Sequence, residues 1–108
     1  MATSREFLNY ILDCLSGAEE ISTRAMMNEY ILYCKGKVVG GLYDNRLLIK
    51  PTASAKRLLP DASYEPPYEG AKEMLSVTDT DNKALLAELV SAVADELPAP
   101  KKRKSKNE

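Results

Sequence analysis

Few side chains in this sequence could do chemistry, and their types narrow the field. The 108-residue chain has no histidine. That removes Ser/His/Asp and Cys/His nucleophilic machinery and most zinc sites. It has neither a G-x-x-x-x-G-K-[ST] nor a G-x-G-x-x-G stretch, so no phosphate cradle is signalled. Cys14 and Cys34 are not in a C-x-x-C motif, and each sits in an apolar segment. Two thiols of this kind suit a reducing cytosol. No catalytic residue, metal ligand or cofactor site can be named, and the chain is expected not to be an enzyme.

The remaining candidates are binding groups. Arg24 and Glu29 flank a tight turn centred on Asn28, where they either pair with each other or present charge to a partner. Met26 and Met27 beside them either fill the core or form an adaptable contact surface. Tyr68, Glu69, Gly70 and Lys72 follow a proline-rich loop. Loops held on a rigid scaffold often carry function; Tyr68 either docks on the sheet to fix that loop or borders a cleft shared with Arg24. Lys101, Lys102, Arg103, Lys104 and Lys106 form the clearest electrostatic signal. They contain no interleaved aromatic residue, so they would give salt-sensitive, sequence-independent nucleic-acid contact, or simply a solubilising terminus.

These groups need elements to position them. Residues 4–16 carry Phe7, Leu8, Ile11, Leu12 and Leu15 on one helical stripe, with Thr3 and Glu6 at capping-box spacing and Gly17 as a stop. Strands are expected at 21–27, 29–35, 38–43 and 46–50, separated by turns at Asn28, Gly36 and Asp44-Asn45. Pro51 ends this run because it has no donor to give. Thr52 caps a short helix to Leu59, residues 60–70 form a loop, and residues 73–77 form a last strand at an edge. A final helix runs to about Leu97. The expected fold is α+β, an antiparallel sheet of four to five strands with two or three helices, in the order α-β-β-β-β-α-β-α.

The turns predict register. A two-residue turn at Asp44-Asn45 pairs Leu42 with Leu47, Gly41 with Leu48 and Gly40 with Ile49. Gly40 and Gly41 then serve close packing inside a strand. A two-residue turn at Gly36 puts Tyr30, Leu32 and Cys34 on the face of Val39, Tyr43 and Leu48; a three-residue loop puts them on the other. Both faces are rather apolar, and helices of this size cover one. Tyr30, Leu32, Val39, Tyr43 and Leu48 are therefore candidates for a partner surface or a homodimer contact, unless loops and the short helix cover them.

Length and charge set the outer limits. At this size one domain is expected, over residues 1–98, with a basic, disordered tail over 99–108. Residues 1–100 hold ten Lys/Arg and fifteen Asp/Glu, whereas 101–108 hold five Lys/Arg and one Glu. No leader peptide is read at the N-terminus and no apolar run is long enough to span a membrane. Cytoplasmic localisation follows as the expectation.

Four stretches in order, R-A-M-M-N-E-Y, V-V-G-G-L-Y-D, L-L-I-K-P-T and Y-E-G-A-K-E-M, resemble the N-terminal domain of the TfoX/Sxy family of bacterial competence regulators. The resemblance runs over roughly residues 4–97. Its motif positions are Arg24, Met26, Met27, Glu29, Tyr30, Gly40, Gly41, Pro51, Tyr68, Gly70 and Lys72. Asn28 stands where the family often has glycine. The resemblance implies a small α+β domain in a bacterial cytoplasm. In the regulators a second, helical domain follows, and the protein acts with the cyclic-AMP receptor protein to switch on DNA-uptake genes. The expected function is thus non-enzymatic regulation by protein contact, with a transcription regulator as partner. The alternatives are a small-molecule-binding or metabolic accessory domain using a cleft near Tyr68 and Arg24, and weak nucleic-acid binding through the tail.

Overall fold

The computed structural model describes residues 3–27, 29–78 and 80–97. Its elements are α1 (Arg5–Cys14), β1 (Ile21–Met26), β2 (Glu29–Cys34), β3 (Lys37–Leu42), β4 (Leu47–Ile49), α2 (Ala53–Leu58), β5 (Tyr64–Glu65), β6 (Met74–Val77) and α3 (Lys83–Glu96). The fold is α+β, one antiparallel sheet in the order β1-β2-β3-β4-β6-β5. There are six strands rather than four or five, because two residues of the proline-rich loop pair with β6. That pairing moves β6 from the expected edge to the interior, between β4 and β5.

Short polar side chains set the helix starts. Ser4, not Thr3, caps α1 by accepting the Phe7 N–H. Thr3 Oγ1 instead donates to the Glu29 carboxylate at 2.6 Å. The helix closes at Leu15 with a negative φ, so Gly17 is not its left-handed stop. Thr52 and Asn82 cap α2 and α3 through the Ala55 and Leu85 N–H groups. Among the described residues, no helix is long and apolar enough to cross a membrane.

The turns follow the positive-φ rule for tight hairpins. Asp44 and Asn45 have φ of 54° and 57°, and Tyr43 and Arg46 exchange backbone hydrogen bonds around them. The pairs Leu42–Leu47, Gly41–Leu48 and Gly40–Ile49 result, as the sequence predicts. Lys35 and Gly36 make a second two-residue turn, with Cys34 opposite Lys37. At the first hairpin Met27 takes a positive φ; Asn28 lies outside the described residues.

A bulge then overrides the simple register. Tyr33 pairs with Val38, but Leu32 pairs with Gly40, which leaves Val39 as an extra residue. Beyond it, Tyr30 and Leu32 share a face with Leu42, Leu47 and Ile49. A two-residue turn plus a bulge thus produces the arrangement that a three-residue loop would have given.

That face carries the core. Leu32, Leu42, Leu47, Ile49 and Leu75 cluster with Ile11 of α1, Leu15 just after it, and Leu86, Leu89, Val90 and Val93 of α3. Each fully buried aliphatic side chain of this kind contributes about 1.5–3 kcal/mol. Lys37 reaches the end of α3, where its ammonium donates to the Ala94 and Leu97 carbonyls at 2.8 and 3.0 Å. Such a cation satisfies C-terminal carbonyls that have no partner within the helix.

Candidate binding cleft on the loop face

The opposite face is covered without a helix. Reading across the strands, Arg24, Ile31, Gly41, Leu48 and Ser76 form one row. Leu48 is fully buried yet stands apart from the helix-side core. On this side Arg46 ties down the segment leading into and out of β5, through Glu65 and Pro67.

Arg46 holds that segment in place. Its guanidinium donates to the Tyr43 carbonyl (3.1 Å), the Glu65 carboxylate (2.8 Å) and the Pro67 carbonyl (3.4 Å). Its pull on Glu65 holds that carboxyl below the ordinary glutamate range. The clamp brings Tyr68 over the sheet, where its ring meets Tyr43 edge-on at a centroid distance of 6.4 Å. Gly70, with φ of 88°, then turns the chain back toward β6.

The seal is incomplete. A cleft of about 540 Å³ opens between the strands and this segment, lined by Val38, Tyr43, Pro67, Tyr68 and Met74, with Lys50 and Lys72 beside them. Burial raises the Tyr43 phenol above its ordinary pKa, and Tyr68 and Glu29 add to the effect. Tyr68 is 64% exposed. Among the described residues, Lys50 and Lys72 form no ion pair. The chemistry on offer is apolar surface, two aromatic rings and two ammonium groups, with Glu73 as the one carboxylate. This set suits a ligand with an apolar body and negative charge.

The sequence candidates divide among several places. Tyr68, Lys72, Pro51 and Gly40 line the cleft; Gly70 and Arg24 are not among the lining residues. The five-residue partner surface does not exist as one patch. Leu32 and Val39 are buried in the helix-side core, with Tyr30 against it; Tyr43 and Leu48 lie on the loop face. The bulge at Val39 is the cause. Arg24 and Glu29 do not pair; Glu29 buckles the start of α1 to the β3–β4 turn, accepting from Thr3 and from the Asp44 N–H. Met26 and Met27 do not fill the core but are 45% and 88% exposed. Gly40 and Gly41 serve close approach, Gly40 against β4 and Gly41 beneath the Tyr43 ring. Lys101, Lys102, Arg103, Lys104 and Lys106 lie outside the described residues.

Val38, Lys50 and Met74 also line the cleft, and no motif in the sequence marks them. Val38 and Met74 look like ordinary strand residues there, and only the bulge and the pairing of β6 bring them to one cleft. Cys14 and Cys34 are buried free thiols. Burial raises the Cys34 pKa, which makes it a poor nucleophile. Among the described residues, no cluster of acidic and thiol side chains has metal-site geometry.

The fold and the cleft define a class, a single-sheet α+β protein with one helix-covered face and one loop-covered face. The chain is 36% identical over 107 residues to the "uncharacterized 12.7 kDa protein in trpE 5'region" of Spirochaeta aurantia, a match that covers 98% of this chain and 93% of that protein. It belongs to the same family. No family model matches the chain, and no solved structure matches it.

Proposed function

We propose that this chain is a non-enzymatic, TfoX-like regulatory domain of the bacterial cytoplasm that works by protein contact. Its partner is a transcription regulator, and the process is control of competence genes. The four motif stretches support the family reading, and the buried free thiols support a reducing compartment. One observation carries the binding reading: the loop face keeps an apolar cleft flanked by two lysines that form no ion pair among the described residues. The cleft receives an acidic segment of the partner, with an apolar side chain seated against the Tyr43–Tyr68 pair.

Calorimetric titration of the purified chain with the host's cyclic-AMP receptor protein tests this. A Lys50→Glu/Lys72→Glu variant is expected to weaken binding about tenfold or more, and to lower DNA-uptake transcripts in the host. Undetectable binding by the wild type, with transcripts unchanged in a deletion strain, would overturn it.

The size of the cleft favours a second reading. At about 540 Å³ it falls within the range that accommodates small molecules. A small anionic metabolite with an apolar body would use the same rings and ammonium groups. A thermal-shift screen of aromatic and aliphatic carboxylates checks this. A hit lost in Tyr68→Ala supports it, and a broad screen without a shift rejects it.

A further inference from the structure

β1 is one edge of the sheet, and among the described residues nothing pairs with its outer side. An open edge is a template for another strand, and proteins commonly blunt it with proline, a bulge or inward-pointing charge. The stretch I-S-T-R-A-M has no proline and keeps an unbroken register with β2. Arg24 is its only charged residue.

The direction of the free groups follows from the ladder. Met26 and Glu29 close the hairpin, and the Lys35 N–H donates to the Glu20 carbonyl at the other end. In an antiparallel pair, residues alternate between those bonded to the partner and those facing away. Ile21, Thr23 and Ala25 therefore turn their N–H and C=O groups outward, to the open edge.

We propose that β1 pairs with β1 of a second copy of this chain, antiparallel and centred on Thr23, so that two six-stranded sheets become one continuous sheet. The strand is its own complement in this register. Thr23 faces Thr23 of the second copy, Ile21 faces Ala25, and all the outward backbone groups are bonded. Shifting the centre to Arg24 would set two guanidinium groups opposite each other. Centring on Ser22 would leave Ala25 without its strand partner. In the Thr23 register, Arg24 stands across from Ser22 of the second copy. That copy's Glu20, which precedes the strand and takes a positive φ of 54°, stands at the end of the same ladder, where its carbonyl accepts from the Lys35 N–H, and a long side chain such as Arg24 reaches toward it. Charge complementarity thus occurs twice, once on each side of the two-fold axis. Met26 and Met27, exposed at the hairpin tip, lie at the two ends of the junction.

The charge pair gives a test that does not depend on a disruptive mutation. Sedimentation velocity on the full chain should show a concentration-dependent dimer. Arg24→Glu alone and Glu20→Arg alone should each weaken dimerisation by about tenfold, since each sets like charges together twice. Mixing the two variants should restore it, because every contact is then of opposite sign. Circular dichroism on each variant checks that the fold is kept. A wild type that stays monomeric at several hundred micromolar would overturn the proposal, even if a foreign strand binds this edge. So would two variants that dimerise as tightly as the wild type, or a mixture no tighter than its parts.

Discussion

Gly40 and Gly41 adjoin in sequence but are constrained by different neighbours. A Cβ on Gly40 would fall on the Leu48 carbonyl oxygen and 2.9 Å from the Ile49 Cα. Both obstacles are backbone, so β3 and β4 would have to part. Gly40→Ala is expected to cost about 1–3 kcal/mol or more, the range seen for overpacking. Equilibrium urea unfolding measures it, and an unchanged midpoint would contradict the reading. A Cβ on Gly41 would meet the Tyr43 ring at 2.5 Å and the Tyr30 carbonyl oxygen at 2.8 Å. The ring can tilt, and the backbone carbonyl stands farther off than the one facing Gly40, so Gly41→Ala should cost less stability but disturb the cleft. The sequence shows that two adjacent glycines inside a strand serve close packing. It does not show that Gly41 must clear the Tyr30 carbonyl, because that approach depends on a bulge with no local mark in K-V-V-G-G-L.

Among the elements, α2 depends on α3 for its first turn. The Glu96 carboxylate accepts from the Ser54 N–H at 3.0 Å and from its hydroxyl at 2.7 Å. These bonds lower the Glu96 pKa, the backbone one most. A carboxylate lowered on folding contributes stability that is fully present above the ordinary glutamate pKa of about 4.3. That contribution is lost as pH falls through the lowered, folded value. Melting temperatures from pH 7 to 3 should therefore show Glu96→Gln below the wild type at neutral pH, with the gap closing in acid. A gap of constant size would refute the linkage. The hairpin of β3 and β4 was legible residue by residue, since Asp44-Asn45 permits positive φ and sets the register. The pair Glu96–Ser54 was not legible, because its members lie 42 positions apart and neither belongs to a local motif.

For the molecule as a whole, the sheet has one face covered by helices and one covered by a clamped loop. That the strands are apolar on both sides could be read from the sequence. The distribution of residues between the faces could not, because a one-residue bulge exchanges them. The cleft exists because a loop packs less completely than a helix, so the candidate site and the unaccounted face are the same feature. The connectivity of the sheet also has a consequence in time. β1 to β4 are joined in sequence by short turns, whereas β6 reaches β4 only after residues 50–73 have crossed over. Contacts close in sequence form at lower loop-closure cost and tend to form earlier. Leu32→Ala, in the hairpins, should mainly slow refolding, and Leu75→Ala, in β6, should mainly speed unfolding. Stopped-flow chevrons on the two variants separate these effects, and a reversed pattern would mean that the crossover closes first. On this account the cleft appears last, when β6 docks and the clamped loop is drawn over a sheet that is already standing.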